Sequence, residues 1–341
     1  ELDLQDGQGD DTYNECDSNG DGQPEANSGL FNETLLDRED NGTTEERDTA
    51  CGDLPYIVHD KTLVSSVANA DDTYTITYEI TAENLGGAPG TYSITDNPQY
   101  DDDITIVSAD VDGNSLSATP WTIASGATLA ASASQTYVVT VQVELDLQDG
   151  QGDDTYNECD SDGDGQPEAN SGLFNESLLD REDNGTTEER DTACGDLPYI
   201  VHDKTLVGIQ SNADDSYTVT YQITAENLGG APGTYSITDN PQFDDDVVIN
   251  SADVDGTTLG ATPWTIANGA NLSAGASQTY TLTVNVTLSL EAGDGNGDNV
   301  YDLCDSDGDG QPEANSGLFN ESLLDREDNG TTEERDTACG D

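Results

Sequence analysis

The chain has 341 residues, with 72 Asp and Glu against 8 Lys and Arg, and a formal net charge of −64 at pH 7. Self-repulsion on that scale opposes compaction, so such a chain stays disordered, lives in high salt or binds cations. It has no basic face for nucleic acid or an anionic membrane surface, and no apolar run long enough to insert into a bilayer.

Internal repetition organises the sequence. Residues 1–53 recur at 144–196 with two changes, Asn19 to Asp162 and Thr34 to Ser177. The stretch from Cys304 to Asp341 repeats Cys159 to Asp196 without a change, and a more diverged pair, 54–143 and 197–286, lies between these blocks. The expected organisation is therefore acidic modules at 1–53, 144–196 and 287–341, alternating with β-domains at 54–143 and 197–286. The absence of methionine predicts a processed or internal piece of a longer chain.

Each acidic module carries alternate oxygen donors in a glycine-bearing loop. The second copy reads Asp160-Ser-Asp162-Gly-Asp164-Gly165-Gln-Pro-Glu168; the first offers Asp17, Asn19, Asp21 and Glu25, and the third Asp305, Asp307, Asp309 and Glu313. Calcium takes roughly six to eight oxygens, and such a spacing turns carboxylates inward around it. Ser171 stands where an EF-hand has its bidentate Glu, and the loop is more similar to those of thrombospondin type 3 repeats and dockerins. A weaker copy of the spacing precedes each loop: Asp6 and Asp10, Asp149 and Asp153, and Asp294, Asn296, Asp298 and Asp302. Calcium is expected there too, against the alternative of a Gly/Asp-rich linker. After the loop, Leu173, Phe174, Leu178 and Leu179 predict a short helix over 173–182, too short to stand without support.

The six cysteines fall at the same spacing in each module. That regularity predicts the disulfides Cys16–Cys51, Cys159–Cys194 and Cys304–Cys339, and with them an oxidising, extracellular or cell-surface location.

In the first β-domain, Tyr74, Ile76, Tyr78, Ile80 and Ala82 alternate with polar residues, as do Tyr137, Val139, Val141 and Val143. This period-two pattern marks half-buried strands. Further strands are expected at 56–64, 91–95 and 104–111, separated by Gly, Asn and Pro turns. The fold class is mainly β: tandem immunoglobulin-like sandwiches alternating with loop-rich modules held by calcium and disulfides. Trp121 and Trp264 are expected in the cores.

Lys61-Thr62, the strand and turn from Tyr74 to Gly86, and Thr95-Asp96-Asn97-Pro98 resemble the conserved-repeat domain of unknown function found in tandem in bacterial and archaeal surface proteins. Lys204-Thr205, Tyr217 to Gly229, and Thr238-Asp239-Asn240-Pro241 repeat the resemblance. It implies an immunoglobulin-like fold and a surface-exposed structural role. A first-strand lysine also raises intramolecular isopeptide chemistry. The asparagine this needs is not evident in the last strand of the first domain, TYVVTVQV, although Asn285 stands in that of the second.

No nucleophile elbow, P-loop, zinc signature or haem-attachment motif is present. His59 and His202 sit at one repeat position and read as structural. Sequons at Asn32, Asn41, Asn175, Asn184, Asn271, Asn285, Asn320 and Asn329 permit N-glycans. The expectation is a non-enzymatic extracellular repeat protein, a calcium-stiffened stalk or filament subunit whose partners are calcium ions and copies of itself. The alternatives are the repeat region of a large calcium-dependent adhesin, or the spacer of a secreted hydrolase.

Overall fold

The computed structural model describes residues 4, 12–148, 150, 152–291 and 297–341. The first acidic module contributes a hairpin, β1 (Asn32–Leu36) and β2 (Glu46–Ala50). The first domain follows with β3 (Ile57–Ala68), β4 (Thr73–Asn84), β5 (Gly90–Pro98), β6 (Ile104–Val111), β7 (Asn114–Ser115), β8 (Trp121–Leu129) and β9 (Ser134–Leu145). The second acidic module supplies β10 (Asn175–Asp180) and β11 (Glu189–Ala193). The same order recurs as β12 (Ile200–Ser211), β13 (Tyr217–Asn227), β14 (Gly233–Pro241), β15 (Val247–Val254), β16 (Thr257–Thr258), β17 (Trp264–Leu272) and β18 (Ser277–Leu288), and the third module ends it with β19 (Asn320–Asp325) and β20 (Glu334–Ala338). Among the described residues there is no helix.

Each domain is a sandwich of two antiparallel sheets. The first has a five-stranded sheet ordered β3-β4-β9-β6-β7 and a four-stranded one ordered β11-β10-β5-β8. Alternation along β4 sends Ile76, Tyr78, Ile80 and Ala82 wholly inside, facing Ile94 and Trp121 of the other sheet. Burying an aliphatic side chain of this size contributes about 1.5–3 kcal/mol, which is how a chain of this charge holds together at all. Both tryptophans lie in the cores at 2% exposure.

The second sheet crosses the boundary drawn from the repeat. Hairpin β10–β11 comes from the acidic module that follows, and β10 runs antiparallel to β5 in the register Asn175↔Pro98 to Asp180↔Ser93. Hairpin β19–β20 does the same against β14 of the second domain. The helix expected over 173–182 is therefore a strand. Its leucines fit a helical patch, but Asn175, Ser177 and Leu179 share a period-two face that is wholly buried, and the edge of β5 supplies a complete backbone ladder. A short helix would have to satisfy its ends alone.

The first hairpin, β1–β2, forms a separate two-stranded sheet with every residue exposed. The two sandwiches touch through loops: Tyr74 donates to Glu327 at 2.8 Å, Asn329 Nδ2 to the Asn69 carbonyl at 3.3 Å, and Tyr199 to Asp146 at 2.9 Å.

Candidate metal centres

Three disulfides close the acidic modules, Cys16–Cys51, Cys159–Cys194 and Cys304–Cys339. They form as the spacing predicts and fit an oxidising environment. Each bridge ties the acidic loop to the end of its hairpin. Asp196 reinforces the closure: its Oδ1 accepts from the Cys159 backbone at 2.9 Å and from Tyr156 at 3.2 Å.

Within the loop each acid spends an oxygen on the backbone. Asp160 Oδ2 accepts from Gly165 N at 3.0 Å, Asp162 Oδ1 from Asp164 N at 3.0 Å, Asp164 Oδ1 from Gln166 N at 2.8 Å, and Glu168 Oε2 from Ser161 N at 2.7 Å. Gly165 holds φ at +87°, a turn that a side chain would strain. Fixed in this way, Asp160, Asp162, Asp164 and Glu168 bring carboxylate oxygens within 4.8 Å of one another. Asp305, Asp307, Asp309 and Glu313 do the same, as do Asp17, Asp21 and Glu25, with Asn19 accepting from Asp21 N at 2.8 Å. Asp17 Oδ1 is buried without a hydrogen-bond partner.

No protein cation answers these clusters. All eight Lys and Arg are committed elsewhere: Arg38 to Glu46, Arg47 to Glu33, Lys61 to Asp96, Arg181 to Glu189, Arg190 to Glu176, Lys204 to Asp239, Arg326 to Glu334 and Arg335 to Glu321. Unit charges a few ångströms apart repel by about 1 kcal/mol even in bulk water. The loops therefore fit a metal ion in donor chemistry and in spacing.

Of the weaker spacings, Asp6, Asp10, Asp149, Asp294 and Asn296 lie outside the described residues. Asp153, Asp298 and Asp302 are exposed, and Asp153 and Asp298 accept from the backbone of Thr155 and Val300. Sequence reasoning missed the sandwich acids packed beneath this segment. Asp101 is 1% exposed and Asp103 6%, with Asp244 and Asp246 at 2% and 0% in the second unit. Asp101 accepts from Asn157 N at 2.9 Å and Asp103 from Thr155 N at 3.1 Å. The backbone of Gly152 passes so close to Asp103 Oδ1 that a Cβ would sit 2.1 Å from it. Asp103 Oδ1 and Asp246 Oδ2 have no partner. Burial, and for Asp103 the carboxylate of Asp101, pushes both Asp101 and Asp103 up from the usual range. The run Asp101-Asp102-Asp103 lacks the alternate spacing of the loops, and only the fold brings it under residues 152–157.

A third acidic group joins the two units. Asp72, Glu327 and Glu333 approach within 4.8 Å, and Asp72 Oδ1, Glu327 Oε2 and Glu333 Oε1 are buried without partners. Burial and the neighbouring acids push Glu333 up to about 7.

His59 and His202 are buried side chains held by the docked hairpins, His59 Nε2 to Ser177 Oγ and His202 Nε2 to Ser322 Oγ, each at 2.9 Å.

No protein-family model matches the chain, and a comparison with curated proteins finds no match. Solved structures resemble it only faintly. A β-glucuronidase from glycoside hydrolase family 2 gives a TM-score of 0.19 at 9% identity over 77% of this chain and 23% of that one. The secreted serine protease VesC from Vibrio cholerae gives 0.20 at 11% over 70% and 47%. The exo-chitosanase CsxA from Amycolatopsis orientalis gives 0.19 at 10% over 77% and 25%. This chain thus spans less than half the length of each, and likeness of this order carries no argument about function.

Proposed function

We propose that this chain is a non-enzymatic extracellular structural repeat protein, a calcium-stiffened stalk or filament subunit of a cell surface. The observation that carries the reading is the interlocking of units: both sandwiches take their second sheet's hairpin from the acidic module after them, and the second module leads directly into the second sandwich. Tension along the chain then passes through the disulfide, which brackets the acidic loop and the docked hairpin and shields both from load. Calcium is the ion proposed, because the donors are all hard oxygens and the location is extracellular. Asp160, Asp162, Asp164, Glu168 and their counterparts hold it, with Asp101 and Asp103, and Asp244 and Asp246, as donors of a separate site beneath the segment that precedes each loop. Copies of the chain are the proposed partners. The β1–β2 hairpin matches, but for Thr34 in place of Ser177, a hairpin that docks on a sandwich elsewhere in the same chain, so it is the element that would dock on another copy wherever a sandwich lacks its own hairpin.

The test is electron microscopy of the purified chain in saturating calcium and in excess EDTA. Stiff rods with a repeat of one module plus one sandwich, softening on chelation, support the proposal. Freely jointed beads in saturating calcium overturn the stiff-rod reading.

A further inference from the structure

Three side chains from three strands meet between the sheets of the first sandwich: Lys61 of β3, Asp96 of β5 and Asn175 of β10. They are 4%, 0% and 0% exposed. Lys61 Nζ donates to Asp96 Oδ1, and Asn175 Nδ2 donates to Asp96 Oδ2 at 2.9 Å. One carboxyl group thus stands between an amine and a carboxamide. Asn175 Oδ1 has no partner. The second sandwich repeats the arrangement: Lys204 Nζ donates to Asp239 Oδ2, and both polar atoms of the wholly buried Asn320 side chain are unpartnered.

Leaving a buried amide unsatisfied is costly, and both sandwiches carry an unsatisfied asparagine at the same place. Burial drives both lysine amines down and both aspartic acids up, against the pull of each partner. Burial thus weakens both charged forms and moves each pair toward a free amine beside an un-ionised acid, a nucleophile beside a proton donor. The rings of Tyr78 and Tyr221, 4.9 and 5.2 Å from the amines, form one wall of each site.

We propose that each lysine forms an isopeptide bond with the asparagine of the docked hairpin, Lys61 with Asn175 and Lys204 with Asn320. The Lys61 Nζ lone pair attacks Asn175 Cγ and a C–N bond forms. Asp96 takes a proton from Nζ through Oδ1 and delivers its own from Oδ2 to Asn175 Nδ2. The Cγ–Nδ2 bond breaks and ammonia leaves. Asp96 ends protonated as it began, so the step needs no cofactor, oxidant or second enzyme. Fixing the three groups in one packed interior supplies the proximity that an amine and an amide lack in water.

The bond joins the first strand of a sandwich to the hairpin of the next module and closes covalently the interlock that hydrogen bonds otherwise hold. Asn285, the asparagine visible in the last strand of the second domain, plays no part: it bonds Ser216 and Asn250 instead. The true partner lies one module further on, beyond the point where the repeat divides the sequence.

Intact mass spectrometry of the reduced full chain tests this without reference to calcium or polymer. The expected mass is lower than that of the sequence by two ammonia molecules, and peptide mapping shows the β3 and β10 peptides joined. Asn175→Ala should lose one ammonia, from the second unit only. An unmodified wild-type mass overturns the proposal. So does a loss of water joining Lys61 to Asp96, or a second loss of ammonia persisting in Asn175→Ala.

Discussion

Leu179 and Leu36 occupy one position in two copies of the same repeat, and the first is wholly buried while the second is 48% exposed. Sequence does not separate them. Among the described residues, Leu179 has a sandwich beneath it and Leu36 has none.

The difference is measurable by denaturation in calcium. Leu179→Ala should destabilise its sandwich by about 2–5 kcal/mol, the range for a buried leucine. Leu36→Ala should stay within about 0.5 kcal/mol of the parent. Equal effects would mean that the first hairpin is covered in solution.

Chelation should lower the melting temperature, because ion removal leaves the acidic loops with no positive neighbour. Affinity in the extracellular range, roughly 10⁻⁴–10⁻³ M per site, is expected. Asp103→Asn gives a sharper reading. Removing a buried charge should raise the melting temperature in EDTA and diminish the gain on adding calcium. A shift of one sign in both conditions would count against a cation beneath Gly152.

The strands, turns, disulfides and acidic loops were legible because each rests on local chemistry: alternation in 73–82, glycine at Gly165, equal cysteine spacing. The hairpin was not, because Leu173, Phe174, Leu178 and Leu179 serve a helix or a strand equally well over so few residues. The outcome depends on the unpaired edge of β5, which lies well before them in the chain. The same holds for Asp103 under its loop and for Asn175 beside Lys61. Repeat boundaries mark where the sequence recurs, and the sheet closes across them.

Glu333 links pH to the contact between units. Its carboxyl is raised from 4.5 to about 7 by burial, Asp72 and Glu327. In the packed state it keeps a proton that it releases when freed, so its contribution is fully present below pH 4.5 and is lost as pH rises through about 7. Without divalent cations, stability should fall across that window, and Glu333→Gln should flatten the fall. Calcium sufficient to fill the cluster should do the same for the wild type. A wild-type and a Glu333→Gln profile that run parallel from acid to neutral pH would remove Glu333 from the account.

The free hairpin should be able to replace a docked one. Asn32, Leu35 and Leu36 correspond to Asn320, Leu323 and Leu324 of β19, and β2 leads into a sandwich just as β11 does, so exchange needs no new junction geometry. In the wild type, each sandwich already holds its own hairpin, and exchange gains nothing. Leu324→Asp places a charge in a wholly buried site, a change that expels the hairpin rather than accept an unpaired ion. The second sandwich is then open, and β1–β2 of another copy fits it. Leu324→Asp should therefore form head-to-tail oligomers that grow with concentration in light scattering. Adding Leu36→Asp should return the chain to monomer by spoiling the donor. If Asn32 then meets Lys204 as Asn320 does, the oligomers should survive boiling in detergent. A Leu324→Asp chain that stays folded and monomeric at high concentration would show that an open sandwich does not recruit the first hairpin.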